Sequence, residues 1–205
     1  MNYLPLSKEN EFVMKNLLLS TVLGATFVSA AHAEPVTYML DSSHSQIVFS
    51  YDHLGFSTTT GMFSGFEGSI ELDAENPAAS SVSVSFPASS LITGWPEREA
   101  HLLSDDFFSA EANPLVSFTS TSVEVTGDTT GLITGDLTIN GITKPVVLDT
   151  VMNQMAEHPM ANLPWVGFDA TATLLRSDFD MGAFAPFVGD EVEIYISIEA
   201  MVPSE

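Results

Sequence analysis

Residues 98–108 read Arg-Glu-Ala-His-Leu-Leu-Ser-Asp-Asp-Phe-Phe and put Arg98, Glu99, His101, Asp105 and Asp106 within nine residues. Hydrolysis by a nucleophile needs a Ser or Cys held by a His that an acid orients. Ser104 follows His101 by three residues, but the chain has no G-x-S-x-G elbow. Asp105 and Asp106 are as well suited to solvation or helix capping as to catalysis, so the stretch reads as a lid rather than a catalytic centre. The other chemically capable residues are scattered. After position 33 the histidines are His44, His53, His101 and His158, none at the H-x-x-x-H spacing of a helical metal site. No metal site is expected, and His44, beside Ser45, reads as a turn residue fixing the first strand. Asp178 and Asp180 flank Phe179; on a strand they would share a face at roughly 7 Å, which suits a glycosidase pair less than a solvated surface. Met152, Met155 and Met160 surround His158 in a stretch read as a loop, 152–164. Thioethers can bind copper, but adaptable apolar filler at a cavity mouth is the reading adopted.

These residues must be positioned by something, and the first 33 do not contribute. Met14-Lys15-Asn16, the apolar run Leu17 to Phe27 and Ala31-His32-Ala33 have the layout of a secretory signal peptide. Residues 1–33 are therefore expected to be an N-terminal extension plus signal peptide, with translation starting at Met14. The mature domain would be 34–205, secreted to the periplasm. The apolar run is too short for a bilayer span of about 20 residues, and no integral membrane segment is expected. The chain has no Cys, so an exported fold must be held by its core. Net charge is −22, and Arg98, Lys144 and Arg176 are the only Lys or Arg after the signal segment. Phosphate backbones need a basic stripe, so nucleic acid is excluded as a partner.

From Val36 onward the sequence alternates with period two, the pattern of half-buried strands. Val192, Ile194, Ile196, Ile198 and Ala200 fall on one face, and Glu193, Tyr195, Ser197 and Glu199 on the other. Runs at 36–41, 45–53, 60–73, 80–87, 114–126, 131–140, 144–153, 165–176 and 190–202 give eight or nine strands. Asn140-Gly141 between two of them is a hairpin signal. One-faced antiparallel strands in this number make a sandwich or a closed barrel, and a barrel of about eight strands is either filled or holds one small ligand. Gly68, Ala170, Ala172 and Ala200 on the inner face leave room for a ligand or accommodate taper; pattern alone leaves both open.

Six blocks then carry a resemblance. They are Asp41-Ser-Ser-His44-Ser45, Gly61-Met-Phe63-Ser-Gly-Phe66-Glu-Gly68, His101 to Phe108, Asn113-Pro114-Leu-Val-Ser-Phe118, Gly135 to Val146, and Arg176-Ser177-Asp178-Phe179. In this order the chain resembles the YceI family. The resemblance implies an all-β fold, a single antiparallel eight-stranded lipocalin-like barrel with a short helix over the mouth. It also implies a cavity for a long isoprenoid, such as a polyprenyl pyrophosphate or a quinone tail. Family members usually carry a basic residue where this chain has Leu103.

Pro96 followed by acids predicts a short helix at 96–103. The expected function is non-enzymatic carriage of a long-chain apolar lipid, an isoprenoid quinone or polyprenyl compound, with no other cofactor. A lipid hydrolase and a ligand-free stress-response protein are the alternatives. Lumen contacts are expected from Phe49, Phe66, Ile70, Phe118, Phe168, Ile194 and Ile196. A rim is expected from Arg98, His101, Leu103, Phe107 and Phe108. Leu103 and the net charge both favour a neutral head group, and a homodimer is a further expectation.

Overall fold

The computed structural model describes residues 34–204; the expected signal segment and the start at Met14 lie outside them. Ten strands occupy the alternating stretches: β1 Val36–Leu40, β2 Gln46–His53, β3 Ser57–Phe63, β4 Glu67–Leu72, β5 Ser81–Pro87, β6 Leu115–Val125, β7 Thr130–Ile139, β8 Ile142–Glu157, β9 Pro164–Leu175 and β10 Glu191–Met201. All neighbours are antiparallel, in the order β1-β4-β5-β6-β7-β8-β9-β10-β2-β3, and β1 also pairs with β10.

The ring has eight positions because two of them hold two strands end to end. β10 pairs with β2 through Glu193–Ser197 and with β1 through Ala200 and Met201. On the next position β3 lies on β2 and β4 lies on β1. The single run read at 60–73 is therefore two strands, interrupted at 64–66 where Gly65 has φ 73°. The β1–β10 and β1–β4 pairings close the ring, while β3 pairs only with β2 and keeps an edge on its other side. Beside β3, Met62 exchanges backbone hydrogen bonds with Ile92, both 2.9 Å, and so fills the gap before β5.

The Asn140-Gly141 turn has φ of 51° and 71°, the positive pair that a two-residue hairpin matching strand twist requires. The helix α1 spans Pro96–Leu102. Its first turn lacks a side-chain N-cap, and Glu99 serves the preceding loop instead, accepting from the Thr93 N–H at 2.7 Å and the Gly94 N–H at 3.1 Å. Two sequence expectations are corrected. β8 continues to Glu157, so Met152 and Met155 are on a strand and the loop shrinks to 158–163. Asp178 lies in a 3-10 turn, Arg176–Phe179, and Asp180 is left-handed at φ 57°; they are not strand neighbours.

Strand directions sort the connections. Turn 54–56, segment 88–114 with α1, turn 140–141 and loop 176–190 gather at one end, called here the helix end. Loops 73–80, 126–129 and 158–163 gather at the other, the loop end.

Candidate functional site

Inward side chains of the ring enclose a cavity of about 390 Å³ that runs from Phe107, Phe179 and Met181 at the helix end to Pro77, Asp128 and Thr130 at the loop end. This is within the usual range for small-molecule sites. Its wall is apolar because the barrel turns one face of every strand inward. Ile194, Ile196 and Ile198 line it from β10, whereas Tyr195 between them is exposed outside. The inner aliphatic residues are only half-buried, since the surface they expose faces the cavity.

Two cross-strand pairs keep the lumen open. Phe49 opposes Gly61, and the Phe118 ring reaches diagonally across to Gly135, which is itself opposite Ser120. A Cβ on Gly61 would lie 2.3 Å from the Phe49 ring, and one on Gly135 would lie 2.3 Å from the Phe118 ring. Each ring thus lies over a glycine, close to the wall.

The helix end is filled. Phe107 is 7 % exposed and Phe179 2 %, and both are in the core with Leu91 and Met181. Phe108 packs edge-on against Phe63 at 5.4 Å, and Phe63 continues to Phe86 at 5.1 Å and Phe49 at 5.5 Å. Beneath Phe107, at 6.0 Å from its ring, is the guanidinium of Arg176. It donates from Nε to the Gly189 carbonyl (2.8 Å), and from its terminal nitrogens to the carbonyls of Met181 (2.7 Å), Ala183 (3.2 Å) and Val188 (3.0 Å). Burial lowers the Arg176 pKa, partly offset by Asp190. The group remains a cation, since guanidinium does not deprotonate in proteins. Its work is to hold loop 181–189 closed.

The loop end is open. There the cavity wall is made by Ala74, Pro77, Val125, Asp128, Thr129 and Met155, all exposed. Val125 is 49 % exposed and Met155 45 %. The turn before β7 is tied to β8 by the Met152 N–H, which donates to the Thr129 carbonyl at 2.8 Å. Thr150, buried and inward on β8, brings a hydroxyl to this half of the lumen; its contact to the Leu148 carbonyl is long at 3.4 Å.

Of the sequence-predicted residues, Phe49, Phe66, Ile70, Phe107, Phe108, Phe118, Phe168, Ile194 and Ile196 line one cavity. Arg98, His101 and Leu103 do not. Arg98 is exposed on α1, and His101 faces outward, with Nε2 at 3.1 Å from Asp106 Oδ2 and its ring edge-on to Phe107 at 5.1 Å. The rim expected at 98–108 is instead a plug at the filled end. The argument from Leu103 about the head group loses its premise there.

Sequence reasoning missed the opening, Asp128 and Thr150, because loop residues carry no period that assigns them to a cavity. It also could not bring Glu199 to Asp41 and His44, whose ligand atoms lie within 4.8 Å of one another. These groups are engaged with the protein. His44 Nδ1 is 2.6 Å from Asp41 Oδ2, and Trp165 Nε1 donates to Glu199 at 2.7 Å. Burial alone would raise Asp41, but hydrogen bonds from His44 and Ser43 outweigh it and lower its pKa; the bond to Asp41 raises that of His44. His44 thus fixes the turn joining β1 to β2.

A closed antiparallel barrel with an apolar lumen, plugged at one end and open at the other, is lipocalin-like in architecture. The YceI-like domain family matches residues 38–200, and the chain belongs to that family. It is 37 % identical over 191 residues to a UPF0312 protein of Ectopseudomonas mendocina, covering 92 % of this chain and 99 % of the relative. A UPF0312 protein of Photorhabdus laumondii is 36 % identical over 191 residues, with 92 % and 98 % covered. Among solved structures, the YCEI protein of Campylobacter jejuni aligns with a TM-score of 0.66 at 29 % identity, covering 75 % of this chain and 90 % of that one. BcnA of Burkholderia cenocepacia aligns with a TM-score of 0.71 at 23 % identity, covering 78 % and 99 %. A polyisoprenoid binding domain from Saccharophagus degradans aligns with a TM-score of 0.64 at 12 % identity, covering 81 % and 98 %. These last two likenesses concern the fold.

Proposed function

We propose that this protein is a periplasmic carrier that holds a long-chain isoprenoid, an isoprenoid quinone or a polyprenyl compound, with its tail in the barrel. The observation that carries the reading is the continuous apolar lumen from Phe107 to Asp128. An isoprenoid tail needs no specific polar partner, and each buried methylene contributes ~0.8 kcal/mol, so a dry tunnel is sufficient. The name of the Saccharophagus degradans domain, which shares the fold, points to the same ligand class. The periplasmic location rests on the signal-peptide pattern before Glu34. A carrier accords with the lining better than an enzyme, because none of His44, His53, His101 and His158 faces the lumen. Mass spectrometry of an organic extract of protein purified from the periplasm tests the proposal. A stoichiometric isoprenoid is expected; an extract without lipid, from protein that also fails to take up an added polyprenol, would overturn it.

A further inference from the structure

Charge is divided between the two ends of the barrel. Among the described residues Arg98, Lys144 and Arg176 are the only Lys or Arg, and all three belong to the helix end. Four N–H groups of Arg176 are already given to carbonyls. The loop end has acids and neither Lys nor Arg. Asp128 is exposed and lines the opening, and Glu75 is exposed between Ala74 and Pro77, which line it from the facing loop. Nearby Asp73 is buried and committed, its carboxylate accepting the N–H groups of Glu75 and Asn76 at 3.0 and 2.8 Å. The side chains of Asp128 and Glu75 make no hydrogen bond or ion pair with the other described residues. The hydroxyls of Ser80, Ser81, Thr129, Thr130 and Thr150 also line this half, and Asp169 in the same wall has its carboxylate engaged with Tyr195, Ser197 and Asn153.

We propose that the loop end is both the entrance and a charge filter. The ligand enters tail first toward the Phe107 plug, its head group stays at the opening, and Asp128 and Glu75 reject an anionic head. This deepens the isoprenoid reading and rests on it. The carried lipids then have a neutral head, a hydroxyl or a carbonyl, which the threonine hydroxyls can meet. The reason is elementary. Like charges repel, and a pyrophosphate ester brings more than one negative charge to a rim with two acids and neither Lys nor Arg. Such repulsion weakens as salt shortens the screening length.

Geranylgeraniol and geranylgeranyl pyrophosphate have the same tail and differ in the head. Calorimetric titration of both into the full-length mature protein at low salt should show the alcohol binding at least about tenfold more tightly. Raising the salt should shrink that ratio. The pair Glu75→Lys with Asp128→Lys, and the milder Glu75→Gln with Asp128→Asn, should also shrink it, leaving the alcohol's affinity within about twofold. Both substitutions are at exposed positions, and circular dichroism verifies the fold. Pyrophosphate binding as tightly as the alcohol would overturn the filter. So would a ratio that ignores the loop-end variants but collapses on Lys144→Ala, which would place the head at the helix end. If neither molecule binds, the isoprenoid reading itself fails, and the filter with it.

Discussion

The two ends of this barrel are built from the same strands and have opposite properties. At the helix end two of the connections, 88–114 and 176–190, are long, and they fold back to fill the barrel with Phe107, Phe179 and Met181 over a guanidinium that ties together four carbonyls. At the loop end the connections are short and polar, the inward residues such as Val125 and Met155 stay exposed, and the charges near the opening are acidic. One end supplies stability and the other supplies access. With the helix end filled, the unfilled loop end is where a long ligand can enter.

The sharpest way to break this contrast is truncation at each end. Phe107→Ala removes a ring buried against His101, Phe184 and Arg176, and unfolding in urea should show a loss of ~3–5 kcal/mol. Val125→Ala at the opening should cost less than about 1 kcal/mol, because its side chain is already half in solvent. Equal losses would mean that the two ends are packed alike. A smaller effect is expected in the wall between them. Gly135→Ala would place a Cβ 2.6 Å from the Thr119 carbonyl as well as against the Phe118 ring. The ring must swing into the lumen, so stability should fall by ~1–3 kcal/mol and the capacity for a polyprenol should fall with it. Unchanged lipid uptake in a folded Gly135→Ala protein would show that the Phe118–Gly135 pair does not set the bore.

The smallest effect concerns how the helix end is latched. Asp190 is lowered in pKa chiefly by the Ser177 hydroxyl, which donates to it at 2.6 Å, with desolvation opposing and the Ser177 N–H assisting. A carboxylate depressed in the folded state stabilises above its unfolded pKa of about 3.9, and that contribution is lost as pH falls through the folded value. Ser177→Ala should therefore lower the unfolding free energy measured in urea at pH 6 by under about 1 kcal/mol and make little difference at pH 2. A difference that persists undiminished at pH 2 would assign the effect to packing rather than to the carboxylate.

Most of the wall was legible in the sequence, because a strand with one face in the lumen and one in water must alternate. Val192 to Ala200 gave their faces directly, and Asn140-Gly141 gave its turn. The break between 36–41 and 45–53 was read, whereas the one at 64–66 was not. β1 and β2 share the partner β10, and that pairing depends on residues about 150 positions away. The helix at 96–102 was readable from Pro96 and the acids after it, but which way its end faced was not. Arg98, His101 and Leu103 were read as a rim on the expectation that the charged stretch meets the ligand. In the folded chain the charges of that stretch face water, and the two Phe that follow are what enters the barrel. The actual opening is made by Pro77, Asp128 and Thr129, ordinary turn residues whose importance comes only from the strands they join.

The central claim is that the lumen holds the lipid, and adjacent residues on β10 test it with opposite faces. Ile196 points in and Tyr195 points out. Radiolabelled geranylgeraniol retained after gel filtration should be abolished by Ile196→Trp, which fills the tunnel at an overpacking cost of ~1–3 kcal/mol, and should be unchanged by Tyr195→Ala. Equal retention by the two folded variants would contradict the account.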